Sequence, residues 1–369
     1  MPSPLPPDAL EVPWLARNGA TFASTYSGCG GLDYGIAAAG FEPVWANDFD
    51  PIAVQTHNAL LGETAVAGPI DEVPWPSSGS ADIVVGGPPC QGFSVAGKMN
   101  PSDPRSAHVF RFLDFVAHVE PRAFVMENVK ALAVNARWTH IRRGLERRAR
   151  RLGYRTELFV LNAARYGVPQ RRERMFLLGV RDGEPPAEPK AIVETPTTVR
   201  QAFEALPPFL APGNDTACTA GITPAKRPIL RPTAHIGSLL FNGNGRPLKL
   251  DMPAPTLPAS MGGNATPIVD QHELETGEPS WVVEYHRRLR AGRPPARRVP
   301  KHLRRITVEE AAALQTFPRG MQWFGTNSAR YRQIGNAVPP LLAFHVALEL
   351  ANALELTPAA AYERALAAA

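Results

Sequence analysis

Residues 21–31 read Thr-Phe-Ala-Ser-Thr-Tyr-Ser-Gly-Cys-Gly-Gly. The first five predict a buried strand, and the glycines predict a tight turn that opens a helix over 31–40. A glycine turn between strand and helix lets the backbone come close to a cofactor held at the helix N-terminus. Asp48 then closes a second strand over 43–47. An acidic side chain at that place suits a pair of ribose hydroxyls. The pairing points to a nucleoside cofactor and leaves open a nicotinamide nucleotide or S-adenosylmethionine. The plain alternative is a tight turn with a surface aspartate.

Working outward, the pattern continues with a helix over 51–61 and strands over 82–86, 123–126, 158–161 and 174–180. Strands alternating with helices predict an α/β fold, a parallel sheet with helices on both faces. Ligands in such folds bind beyond the carboxyl ends of the strands. A length of 369 residues suggests about two domains. Residues 182–303 are rich in Pro, Gly, Thr and Asn and predict a loop-rich second domain. Regular pattern resumes with a helix over 308–315, where Thr307 and Glu310 form a capping box. A last helix is expected over 338–354.

Composition narrows the class. With 44% hydrophobic and 20% charged residues the chain is neither disordered nor fibrous. No stretch approaches the ~18 uninterrupted apolar residues of a membrane span. Residues 1–7 lack a basic segment followed by an apolar core, so no secretory leader and no membrane association are expected, and a cytoplasmic location is. The three cysteines (Cys29, Cys90, Cys218) show no CxxC spacing, which speaks against a zinc site or a disulfide framework. A net charge of +5 suggests a polyanionic partner only weakly. Arginine runs stand out at 137–155 and at 287–305. The first suits a solvated helix face. For the second, phosphate contact and a solvated face weigh equally.

Three strand ends carry chemistry. At Gly86-Gly87-Pro88-Pro89-Cys90-Gln91-Gly92-Phe93-Ser94, two prolines stiffen the approach to a thiol that can face a ligand. A lone cysteine is usually a small buried hydrophobe, but a core strand has no need of Gly-Gly-Pro-Pro. Met126-Glu127-Asn128-Val129 puts a carboxyl near a buried rim, where desolvation raises its pKa toward proton donation. Gln170-Arg171-Arg172-Glu173-Arg174 adds fixed cations suited to an oxygen-rich substrate.

These segments resemble motifs IV (87–91), VI (127–129) and VIII (170–174) of the cytosine-C5 DNA methyltransferases. Residues 22–31 resemble motif I of that family and Asn47-Asp48 motif II. Residues 304–318, with Thr307, Glu310, Leu314, Gln315 and Phe317, resemble motif IX, and residues 333–339 (Gln-Ile-Gly-Asn-Ala-Val-Pro) resemble motif X. All stand in family order from about 21 to 350. The resemblance implies a Rossmann-like S-adenosylmethionine-dependent methyltransferase domain at 1–190, completed by 325–369. It also implies a smaller, loop-rich target-recognition domain at 191–324 that includes the motif IX-like segment.

The activity implied is methyl transfer from S-adenosylmethionine to C5 of a flipped-out cytosine in a specific duplex DNA sequence, leaving S-adenosylhomocysteine and using no metal. Cys90 would add to C6, Glu127 would assist at N3, Arg174 would contact the cytosine carbonyl oxygen, and Arg172 would support the loop. Cofactor contacts are implied for Phe22, Ser27, Gly28, Gly30, Asp48, Phe49, Ile70, Pro88, Asn336 and Val338. DNA contacts are implied for Gln91, Ser94, Lys98 and Arg105 beside the nucleophile. Thr256, Leu257, Gly262 and Gly263 would add contacts in the second domain. Duplex DNA would be the partner of a monomer associated with the nucleoid. The methylase of a restriction–modification system, with a linked endonuclease that forms no stable complex, is the expected setting.

Two positions depart from the family. Pro69 stands where motif III usually has an Asp for the adenine amino group, and Asp71 is not assumed to replace it. Cys29 stands where motif I commonly has a small residue. Competing readings are a tRNA cytosine-C5 methyltransferase, a catalytically silent DNA-binding relative and a nicotinamide oxidoreductase. The Cys-Phe-Thr tripeptide of the tRNA enzymes is absent. Intact Cys90, Glu127 and Arg174 speak against a silent relative, and the C-terminal motif against an oxidoreductase.

Overall fold

The computed structural model describes residues 11–89, 107–231 and 238–356. In chain order, β1 (Thr21–Thr25), α1 (Gly31–Ala38), β2 (Glu42–Asp48), α2 (Pro51–Leu61), β3 (Ala65–Ala67) and β4 (Ile83–Gly86) come first. Then follow α3 (His108–Val119), β5 (Ala123–Val129), α4 (Lys130–Val134), α5 (Thr139–Arg151), β6 (Arg155–Asn162), β7 (Gln170–Arg171) and β8 (Glu173–Val180). The next stretch holds α6 (Val199–Glu204), β9 (Pro224–Ile229), β10 (Leu239–Phe241), β11 (Ala254–Pro255), β12 (Ile268–Asp270), α7 (Gln271–Thr276), α8 (Trp281–Arg290) and β13 (Leu303–Arg305). Helices α9 (Val308–Ala313), α10 (Asn327–Asn336) and α11 (Pro340–Ala353) finish the described chain.

Two compact units result. The larger takes in 11–167, 172–194 and the chain from 337, and the smaller takes in 168–171 and 195–336. The larger unit is built on a seven-stranded sheet of order β3-β2-β1-β4-β5-β8-β6. β1 pairs in parallel with both β2 and β4, so the strand order reverses there. A crevice at such a switch point is where α/β sheets take their ligands.

The expected parallel sheet is corrected at one edge, because β8 runs antiparallel to both β5 and β6. The physical reason is the short path from β6 to β8. It is too short for a crossover helix, and only a hairpin-like return closes it. The core behind the sheet is large and apolar, with Phe112, Phe115, Phe124 and Trp138 fully buried. Trp45 stacks on Phe115 at 5.0 Å between centroids.

α11 buries every residue from Pro340 to Ala351. The helical run 327–353 is long and apolar enough to cross a membrane, but 89% of its most apolar window is buried, as in a core helix. Within α11, His345 is 1% exposed and its Nε2 has no hydrogen-bond partner among the described residues. Burial lowers its pKa from 6.5 to about 4. The unfolded chain therefore binds a proton that the folded chain refuses between those values. Stability falls as pH drops through that window, by about 2 kcal/mol at pH 5. His345→Leu is expected to flatten the decline of Tm between pH 7 and pH 5. An unchanged decline would contradict this assignment.

In the smaller unit, α8 packs Val282, Tyr285 and Leu289 against Leu240, Phe241, Ile268 and Leu303. The capping box read from the sequence is present at α9, where Thr307 and Glu310 cap each other. Glu310 also receives both terminal nitrogens of Arg304, at 2.7 and 2.6 Å. One carboxylate thus stops the helix end and anchors the preceding strand.

Candidate active site

At the carboxyl end of β1 the chain reverses sharply. Tyr26 and Gly28 both have φ 55°, and Gly30, at φ 88°, caps α1. A Cβ on Gly30 would stand 3.1 Å from the ring of His57. Beneath the turn, Ser24 Oγ donates to Asp33 Oδ1 at 2.8 Å, and His57 Nε2 lies 2.8 Å from Asp33 Oδ2. All three side chains are fully buried. This support was not anticipated from the sequence, where an Asp inside a helix 24 residues before a His carries no signal.

Asp48 closes the turn from the side. Its Oδ2 accepts from the Gly28 N–H at 2.8 Å and its Oδ1 from the Asp50 N–H at 2.9 Å. Each oxygen keeps a second lone pair for a ligand hydroxyl. Burial raises the Asp48 pKa, against the pull of those two N–H groups. The neighbouring Asn47 amide donates to the carbonyls of Val66 and Gly68 and so fixes the loop after β3. Phe49 is 76% exposed, an aromatic face turned to solvent. Thr25 Oγ1 and Ser27 Oγ are buried and find no hydrogen-bond partner among the described residues.

Two expected cofactor contacts change. Phe22 is 0% exposed inside β1, flanked by Pro43 and Ile83, so its ring has no open face to offer. The aromatic that β1 delivers to its carboxyl end is Tyr26, whose hydroxyl meets His108 Nδ1 at 3.0 Å. The signal for it was its place directly after the strand. Ile70 has its side chain in the core, and its carbonyl accepts from Trp75 Nε1 at 2.8 Å. Pro69 is exposed, and Asp71 is engaged by Arg111 rather than free to replace the missing carboxylate.

A second group forms where β4, β5 and β8 lie side by side. The Asn128 amide donates to the Pro88 carbonyl at 3.0 Å, and its oxygen accepts from the Val129 N–H. The Gly-Pro-Pro and Glu-Asn-Val segments are thereby tied together. Register places Val129 opposite Arg174, and Arg174 Nε lies 2.8 Å from Glu127 Oε1. Both side chains are nearly buried, at 13% and 12% exposure. Burial raises the Glu127 pKa, with Arg174 and then Arg172 opposing it. A Cβ on Gly87 would come within 3.2 Å of Glu127 Oε2, so glycine keeps that oxygen approachable. Arg172 is wholly buried, and its carbonyl accepts from the Ala163 N–H. Cys90, Gln91, Ser94, Lys98 and Arg105 lie outside the described residues.

In the smaller unit, Thr256 is exposed and its hydroxyl donates to the Arg171 carbonyl at 2.8 Å. Leu257 corrects an expectation, because at 1% exposure it is core. Its N–H donates to Gln170 Oε1 at 2.9 Å. The role of Leu257 is thus to hold the segment that bears Thr256. Gly262 is crowded by Ser328, whereas Gly263 faces open space. Asn336 is exposed at the end of α10, and Val338, in the larger unit, is buried. Among the described residues no cluster of His, Cys, Asp and Glu has the makings of a metal site.

A family model described as C-5 cytosine-specific DNA methylase matches residues 20–352. The chain is 31% identical to the type II methyltransferase M1.HphI of Haemophilus parahaemolyticus, over 89% of this chain and 85% of that protein. It is 32% identical to the type II methyltransferase M.NgoFVII of Neisseria gonorrhoeae, over 88% and 84%. Among solved structures, the S. pombe Dnmt2 methyltransferase matches with a TM-score of 0.62 at 18% identity, covering 90% of this chain and 98% of that one. The Entamoeba histolytica methyltransferase EhMeth matches with a TM-score of 0.65 at 14% identity, covering 91% and 98%. At those identities the structures speak for the fold, and the sequence matches speak for more. The chain belongs to the C-5 cytosine-specific DNA methylase family.

Proposed function

We propose that the protein transfers a methyl group from S-adenosylmethionine to C5 of an extruded cytosine in a specific duplex DNA sequence, as the methylase of a restriction–modification system. The observation that carries the reading is the convergence of Glu127, Arg174 and Asn128 on the Gly-Pro-Pro segment that leads directly to Cys90.

The residues at the switch point fit S-adenosylmethionine. Two buried hydroxyls without partners among the described residues, on Thr25 and Ser27, suit its polar amino-acid end. The spare lone pairs of Asp48 suit a ribose, and the exposed ring of Phe49 suits an adenine face. Gly28 and Gly30 let the backbone approach, and Val338 supplies apolar wall. When bound, the cofactor supplies an electrophilic methyl group.

Cytosine C5 is too weak a nucleophile to take that methyl unaided. Addition of the Cys90 thiolate to C6 makes C5 enamine-like. Charge developing on the ring is relieved at N3, where the raised pKa of Glu127 keeps a proton available. Arg174, already beside Glu127, is placed to meet the cytosine carbonyl oxygen, and Arg172 holds the segment before β8. Loss of the C5 proton and expulsion of Cys90 complete the turnover. The target atom lies inside the duplex, so the base is extruded at a cost of a few kcal/mol. Thr256 and Gly263 belong to the unit that reads the surrounding sequence, and the enzyme acts as a monomer.

The test is incubation with labelled S-adenosylmethionine and either unmethylated duplex DNA or tRNA. Label is expected in duplex DNA. Label in tRNA alone would overturn the substrate, and label in neither would overturn the activity.

A further inference from the structure

Positive charge is concentrated in two stretches, residues 137–155 with eight arginines beside Glu146 and residues 285–301. Residues 285–301 hold six arginines and Lys301, with no aspartate or glutamate among them. What sets this tract apart from 137–155 is that no acidic residue stands within it. All seven side chains are exposed.

The fold explains why they point outward. α8 buries Val282, Tyr285, His286 and Leu289 on one face. Arg287 lies opposite that face, with Arg288 and Arg290 at its two borders. Beyond α8 the chain continues through Gly292, Pro294 and Pro295, which carry Arg293, Arg297 and Arg298 over the surface in exposed positions. Proline limits the freedom of this path.

Arg287 pairs with Glu284 on the same helix at 2.6 Å. Arg288, Arg293, Arg297, Arg298 and Lys301 make no ion pair among the described residues. In the other arginine-rich segment, α5, Arg143, Arg147, Arg150 and Arg151 are likewise exposed and without an ion pair among the described residues, but two further arginines are engaged. Arg142 caps the carbonyls of Leu132 and Asn135, and Arg148 pairs with Asp114. Nearby, Arg155 pairs with Glu184. Crowding seven like charges in a stretch that holds no acidic residue is unfavourable for the isolated protein and becomes favourable against a polyanion.

We infer that the exposed tract from Arg287 to Lys301 is a phosphate-contact surface for duplex DNA, gripping the backbone without regard to base sequence. This rests on the proposed activity and adds to it a place where affinity, as distinct from sequence choice, resides. Arginine is the suitable residue, because its planar fork meets phosphate oxygens two at a time.

The salt dependence of DNA binding by the full-length protein tests it. Each phosphate contact contributes about 0.9 to the slope of log K against log salt concentration. Replacing Arg288, Arg293, Arg297 and Arg298 with Gln is expected to lower the slope by about 3 to 4. Binding near 0.1 M salt should weaken by roughly a hundredfold or more, equally for DNA with and without the target site. Replacing the same four with Lys should retain most of the slope. The control replaces four exposed arginines of α5 (Arg143, Arg147, Arg150 and Arg151) with Gln, an equal loss of charge, and should leave the slope nearly unchanged.

An unchanged slope in the first variant, or an equal drop in the α5 variant, would overturn the inference. Methylation at saturating DNA should survive in the tract variant. If the unaltered protein methylates no DNA at all, the activity reading fails instead, and the two failures are told apart.

Discussion

Glu127→Gln is expected to lower kcat by about 10^2- to 10^4-fold, the range for loss of a positioned general acid, while the affinity for S-adenosylmethionine stays near that of the unaltered protein. Glu127 sits at the carboxyl end of β5 with a nearly covered side chain, and desolvation raises its pKa despite two arginines. A carboxyl that retains its proton more readily than usual is suited to donate at N3 as Cys90 adds to C6. Glutamine preserves the volume and leaves an oxygen for Arg174, so the fold should persist. It offers N3 a hydrogen bond but no proton. The acid form is lost as pH rises through the raised pKa, so the unaltered enzyme should lose turnover on that alkaline side. The variant should lack this dependence. Activity within about threefold of the original would remove Glu127 from the proton-donating role.

Cys90→Ser is expected to abolish turnover while DNA and cofactor still bind. A serine hydroxyl without an adjacent base is a far weaker nucleophile than a thiolate. No other thiol of this chain substitutes. Cys29 is 2% exposed behind the glycine turn, and burial pushes its pKa up. Cys218 lies in the smaller unit, with its sulfur 3.6 Å from Thr266 Oγ1. A duplex with 5-fluorocytosine at the target sharpens the test. Fluorine cannot leave C5 as a proton does, so the adduct should persist after methyl transfer as a protein–DNA band on a denaturing gel. The band should appear with the unaltered enzyme and not with Cys90→Ser. A band that survives the substitution would mean another nucleophile.

Much of this arrangement was legible from local pattern. The glycine turn, the Asp48 strand end and the Thr307–Glu310 capping box are short-range features, and each stands where its residues predict. The Glu127 strand end was equally readable, since an acid after four buried residues has few places to go. What depended on strand pairing was harder. The antiparallel insertion of β8 brings Arg174 against Glu127, and only the length of the preceding connection hinted at it. Phe22 was misread because an aromatic in a strand fills a core as well as it stacks on a ligand. Only its depth in β1 separates the two. Leu257 was misread likewise, where a dipeptide reads the same whether its second side chain points out or in. The Ser24–Asp33–His57 network could not be read at all, for its members meet only through the packing of α1 on α2 and β1.

The proposed activity is methylation of cytosine C5 at one DNA sequence. Its most direct measurement is expression of the protein in a host without cytosine methylation, followed by bisulfite sequencing of the host DNA. Protected cytosines are expected at one short recurring sequence, and none when Cys90→Ser is expressed. Unprotected DNA from cells that contain the folded protein, or protection that persists in the Cys90→Ser strain, would contradict it.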